Sequence, residues 1–112
     1  MSYDISFKVK VEGVDAYVRV GNCNANITWN ARKVIELSTG LPWENEANNG
    51  LCLDVIPKIQ HGLTELKTNK EKYLPFGTVV GTIMFFEQIL DDWADLVKWN
   101  EKLVPVVTFW IE

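Results

Sequence analysis

The chain has 112 residues, enough for one hydrophobic core and too few for two. Hydrophobic residues make up 47% and charged residues 23%, the proportions of a folded protein rather than a disordered tail. Fifteen Asp and Glu against 11 Lys and Arg give a net charge of -4, which disfavours docking on a phosphate backbone and argues against nucleic acid as a direct ligand.

Tyr3, Ile5, Phe7, Val9 and Val11 alternate with Asp4, Ser6, Lys8 and Lys10, which predicts a half-buried strand that begins at once. Such a start is not a signal peptide. Glu12-Gly13-Val14-Asp15 supplies turn chemistry and Ala16 to Val20 resumes an extended pattern, so these residues form an antiparallel hairpin. Gly21 and the run Asn22-Cys23-Asn24 interrupt or bulge the second strand, with Ala25 to Trp29 as its continuation.

From Ala31 the period changes: Ala31, Val34, Ile35 and Ser38 share one face of a short helix that Gly40 terminates. Thr28 or Asn30 is placed to cap its start. Trp43 to Gly50 reads as a loop. A second helix is expected from Asp54, an acceptable N-cap, with Pro57 in its first turn and an apolar stripe of Val55, Ile56, Ile59, Leu63 and Leu66. Gly62 within it signals close packing against a neighbour. Thr68 to Lys72 is charged and leads through a further helical turn to Tyr73 and the break Pro75-Phe76-Gly77.

The longest helix is expected from Thr78 to about Asn100, where Val79, Ile83, Phe86, Ile89, Leu90, Trp93, Leu96 and Val97 recur at helical spacing. Glu87, Asp91, Asp92 and Asp95 take the remaining arc. Val104-Pro105 ends it, and Val106 to Ile111 is a run apolar enough to be buried in the sheet against the N-terminal strand. The order β-β-α-α-α-β implies one α+β domain over residues 1–112, a small antiparallel-containing sheet of at least three strands with helices packed on one face. No apolar run approaches the ~20 residues that cross a bilayer, so a soluble, cytoplasmic protein without membrane partners is expected.

Few constellations carry chemistry. Cys23 and Cys52 read as buried small hydrophobes in a reducing compartment rather than as a disulfide. His61 is the single histidine and has no evident partner; no Cys-x-x-Cys, phosphate-cradling glycine loop or nucleophile elbow is present. The expectation is therefore a protein that is not an enzyme and uses neither cofactor nor metal. Asp91, Asp92 and Asp95 form the one close carboxylate cluster, either a solvated helix face or a patch that binds protein.

Five tryptophans are more than a core of this size needs. Trp93 and Trp110 fit core positions, whereas Trp29, Trp43 and Trp99 lie near element ends, where an indole is available to a partner. The candidate partner-binding set is thus Asp91, Asp92, Asp95, Trp99 and Trp43. Asn22, Asn24 and Asn26 point the same way if their run is a strand. Such a row binds a polar ligand or a peptide backbone, or faces water; with Trp29 for stacking it is the alternative, ligand-binding site. Gly77-Thr78 and Gly81-Thr82 align small residues at the start of the long helix and suggest close packing there.

Tyr3-Asp4-Ile5, Asn26-Ile27-Thr28-Trp29-Asn30, Gly62-Leu63 with Glu65-Leu66, Glu71-Lys72-Tyr73, Gly77-Thr78 with Gly81-Thr82, and Trp110-Ile111 together resemble a family of short proteins encoded in bacteriophages, prophages and related mobile elements. Most members of that family have no assigned function. The resemblance spans nearly the whole chain, but relatives carry a longer aromatic and glycine-containing loop where this sequence has only Leu74-Pro75-Phe76. It implies a small non-enzymatic protein that binds and blocks a host defence protein, a Cas nuclease foremost, in the manner of an anti-CRISPR inhibitor. Two other readings stand beside it: a small-ligand or nucleotide-signal binding protein, and a structural or assembly accessory of the phage.

Overall fold

Strand β1 (Ser2–Lys10) runs through the middle of the sheet, and the computed structural model, which describes residues 1–112, arranges every other strand around it. Tyr3, Ile5 and Phe7 are buried on one face of β1, as their alternation predicts. The last strand, β5 (Thr108–Ile111), pairs antiparallel with β1, setting Ile5 opposite Ile111 and Phe7 opposite Phe109. Apolar side chains on both strands therefore meet on the same face.

The other edge of β1 is shared by two short antiparallel strands, β2 (Tyr17–Arg19) beside Lys8 to Lys10 and β3 (Asn26–Thr28) beside Ser2 to Asp4. Residues 16–29 are thus two strands rather than one bulged strand. Gly21 separates them with φ 68°, a left-handed backbone that glycine adopts without steric cost. Beyond β5 lies β4 (Ala47–Leu51), within the segment expected to be a loop. Its polar run Asn48-Asn49 has no strand pattern, and it is extended because its backbone pairs with β5. The observed order is β-β-β-α-β-α-α-α-β, an α+β fold with five antiparallel strands.

Helices α1 (Arg32–Thr39), α2 (Cys52–Thr68), α3 (Lys70–Tyr73) and α4 (Val79–Trp99) pack against the sheet. Gly40 ends α1 as expected, at φ 73° with its N–H on the Glu36 carbonyl. α2 starts at Cys52, before the expected Asp54, because the Cys52 N–H donates to the Val107 carbonyl and ties the first turn to the chain entering β5. Asp54 is not the cap but an acidic first-turn residue, favourable near the helix N-terminus, and Pro57 lies inside the helix. A Cβ on Gly62 would stand 2.6 Å from Thr39 Cγ2 and 3.0 Å from Phe86 Cε2, the close packing that its place in the stripe predicts.

The core is one cluster of 25 buried residues, including Trp43, Phe7, Phe86 and Phe109. On α4 the buried face takes in Thr82, Phe85 and Asp92, which the predicted stripe omits. On the opposite face of the sheet, Ser6 Oγ and Arg19 Nη2 donate to Glu112 Oε2 at 2.9 and 3.0 Å, and Lys8 makes an ion pair with the same carboxylate. The Lys8 ammonium lies 4.6 Å from the centroid of the Trp110 ring, with Tyr17 edge-on to that ring. No single helix is long and apolar enough to cross a membrane.

Candidate functional site

The Ile5 N–H donates to the Ala25 carbonyl and the Trp29 N–H to the Met1 carbonyl. Ala25, Ile27 and Trp29 therefore turn their peptide groups towards β1, and the alternation of an antiparallel strand turns those of Asn24, Asn26 and Thr28 away. Asn24 shows where they point: its N–H donates to Asp92 Oδ2 of α4 at 3.0 Å. The N–H groups of Asn26 and Thr28 face the same way and have no acceptor within the chain.

Between this edge and α4 lies a groove of about 610 Å³. Asn24 to Thr28 and Asn30 form one wall; Gly81, Met84, Phe85 and Gln88 form the other, with Thr78 at the end. The helix wall is low at Gly81, which has no side chain; an added Cβ there would stand 2.9 Å from Thr78 Oγ1. The Thr78 hydroxyl caps α4 by accepting from the Gly81 N–H at 3.2 Å. The close packing expected of the Gly-Thr repeat is found at its first half, where a Cβ on Gly77 would stand 2.8 Å from the Asn30 carbonyl oxygen, while Gly81 serves the groove wall.

Asp92 closes one end of the groove. It is only 8% exposed, not on the solvent arc expected for it, because α4 lies against the strand edge and that arc faces Asn24. Gln88 Nε2 donates to its other oxygen at 2.9 Å. Beyond Asp92 a second hollow of about 490 Å³ is bounded by Gly21 and Asn22 on one side and by Asp95, Leu96 and Trp99 on the other. Trp99 is 74% exposed, with the Lys98 ammonium 5.0 Å from its ring centroid. No ion pair involves Asp91, Asp92 or Asp95. Asp91 is exposed but lines neither hollow.

Trp43 is not available to a partner. It is 0% exposed, with the rings of Tyr3, Phe85 and Phe109 about it at 5.9 to 6.1 Å, and its indole N–H has no acceptor. The pairing of β4 with β5 explains this: the chain leading into β4 crosses the core, and both Leu41 and Trp43 sink into it. Trp29 is half-exposed, yet its Nε1 donates to the Ser2 carbonyl at 3.0 Å and it does not line the groove.

The asparagine row is broken as well. Asn24 and Asn26 line the groove while Asn22 lines the second hollow, and the Asn26 amide donates across the strands to Asp4 Oδ1. Neither Thr28 nor Asn30 caps α1, since the Thr28 hydroxyl donates to Asn30 Oδ1 and the helix has Ala31 at its cap position. The groove residues that sequence reasoning missed are Gly81, Met84, Phe85 and Gln88. Gly81 carries a signal as part of the Gly-Thr repeat, and Gln88 as the residue four before Asp92 and so on the same side of the helix.

His61 is exposed on α2. Burial pushes the thiols of Cys23 and Cys52 up to about 12, so both are protonated at neutral pH and neither is a ready nucleophile. No group of three or more His, Cys, Asp and Glu side chains is placed to hold a metal ion.

The chain matches no protein-family model, no curated protein and no solved structure. Its surface carries an open strand edge offering N–H donors and an acidic hollow with an exposed indole.

Proposed function

We propose that this protein acts by binding another protein, setting the acidic, tryptophan-bearing end of α4 on a basic surface, and that it thereby inhibits a bacterial defence effector of the CRISPR-Cas nuclease type. The observation that carries the docking chemistry is the hollow between Asn22 and Trp99, where Asp92 and Asp95 have no cationic partner and an indole stands in solvent. An exposed tryptophan beside uncompensated carboxylates is the composition of an interface anchor facing positive charge. Proteins that hold nucleic acid present such positive surfaces. The phage-like sequence pattern supplies the target class.

The test is DNA cleavage by purified Cas nucleases, with and without the protein, together with titration of any complex. Stoichiometric inhibition is expected, weakening as salt rises. Asp95→Lys and Trp99→Ala should each reduce affinity tenfold or more, about 1.4 kcal/mol. Unimpaired cleavage across the panel, with no complex formed, would rule the proposal out.

One observation favours a second reading. The groove beside β3 has the volume of a small-molecule site and is lined by polar and apolar groups together, which suits a small polar ligand or nucleotide signal. Thermal-shift screening separates the two, since a ligand at 100 times its Kd adds ~2.7 kcal/mol of stability.

A further inference from the structure

We infer that the groove between β3 and α4 takes an extended peptide segment bearing a lysine or arginine, which adds to the sheet as a further strand beside β3. This rests on the protein-binding reading and names the form of the partner's contact.

The N–H groups of Asn26 and Thr28 point into the groove without acceptors, two residues apart. That repeat is about 6.8 Å, the spacing at which another strand presents its own carbonyls. Strand addition satisfies both donors with main-chain groups, leaving specificity to the side chains. A small ligand with one acceptor meets only one of them. The carbonyl of Asn26 faces the same way and offers the matching acceptor.

The positive charge is required by the end of the groove. Where Asp92 takes the Asn24 N–H the edge is closed, so the added segment leaves it there, and its next side chains meet Asp95 and Trp99. Those carboxylates have no cationic partner in the chain, and a lysine or arginine from the segment supplies one. A second copy does not fit this edge. Its own β3 is flanked by its own α4 in the same way, so neither copy can bring a bare strand into the other's groove.

The probes are blocked nine-residue peptides of alternating serine and valine with one lysine at either end, titrated into the whole protein and followed by amide hydrogen exchange. The expected result is at least tenfold slower exchange at Asn26 and Thr28 on saturation, and affinity at least tenfold lower when glutamate replaces the lysine. Thr28 has φ -72°, which proline accepts, so Thr28→Pro removes one groove-facing donor without demanding a new backbone. It should abolish binding, while Thr28→Val, which keeps the N–H and exchanges the hydroxyl for a methyl, should still bind and still show the slowed exchange at Asn26 and residue 28.

Binding that leaves the exchange of Asn26 and Thr28 unchanged would overturn strand addition while leaving the acidic-end reading intact. Slowed exchange caused by raising the protein concentration alone would overturn it in favour of a second copy. Failure of every probe to bind, with nuclease complexes still forming, overturns this inference and not the earlier one; loss of those complexes bears on the earlier one.

Discussion

The indole of Trp43 sits among Tyr3, Phe85 and Phe109 with a donor that meets no acceptor. Leaving such a group unsatisfied costs ~1–3 kcal/mol, which the burial of so large a ring outweighs. Trp43→Phe keeps much of the ring contact and removes the orphaned N–H, so its unfolding free energy should fall by no more than about 1 kcal/mol. Trp43→Ala leaves a cavity and should cost about 3–5 kcal/mol. Urea denaturation of both variants checks the pair, and a loss for Trp43→Phe as large as that for Trp43→Ala would overturn this account of the site. Trp43 and Asp92 are also where residue-level reading of the sequence fails, for one shared reason. Trp43 lies outside any periodic element, and Asp92 borders the apolar stripe of its helix, three residues after Ile89 and four before Leu96, where a carboxylate ordinarily turns to solvent; each is buried by an element distant in sequence. Periodicity reports the face of a single element and is blind to a strand edge arriving from elsewhere. Trp99, by contrast, was legible as an exposed indole because nothing follows it on its helix.

At the scale of elements, Gly62 decides how closely α2 approaches α1 and α4. Gly62→Ala gains up to ~1 kcal/mol of helix propensity, but the new methyl meets Thr39 at 2.6 Å, and the Thr39 hydroxyl is tied to the Ile35 carbonyl. The clash should dominate, with a net loss of about 1–3 kcal/mol in denaturation; wild-type stability would mean that Thr39 rotates away freely. The helices and the pairing of β1 with β5 could be read from the chain because each carries its own signal: a 3.6-residue period ended by Gly40 or Pro75, or an unbroken apolar run. β4 could not. Asn48, Asn49 and Gly50 disfavour a strand intrinsically, and only the edge of β5 makes them one. The groove was half legible for the same reason. Its strand wall is the asparagine run, although backbone rather than amide side chains supplies the free donors, and on its helix wall only Gly81, in the Gly-Thr repeat, and Gln88, four residues before Asp92, stand out in the sequence.

For the molecule as a whole, the Glu112 carboxylate gathers three strands, taking Lys8 and Ser6 from β1 and Arg19 from β2 at the end of β5. The hydrogen bond from Lys8, with those from the Ser6 hydroxyl and the charge of Arg19, holds this carboxyl below the usual carboxylate range against partial burial. A folded-state pKa below the unfolded value contributes stability at pH above about 4.3, and that contribution is lost as pH falls through the folded value. Glu112→Gln should therefore be less stable than wild type at pH 7, with the difference closing below about pH 4; a difference unchanged down to pH 3 would show that the charge is immaterial. The pairing of β1 with β5 has a consequence for biosynthesis. β1 is made before β5, so its partner along Ile5 to Lys8 is missing until residues 108–111 emerge. Until then the aromatic face of β1 has no Phe109 to close it, so the nascent chain carries an unsealed sheet until β5 emerges, a state in which chaperones have something to hold.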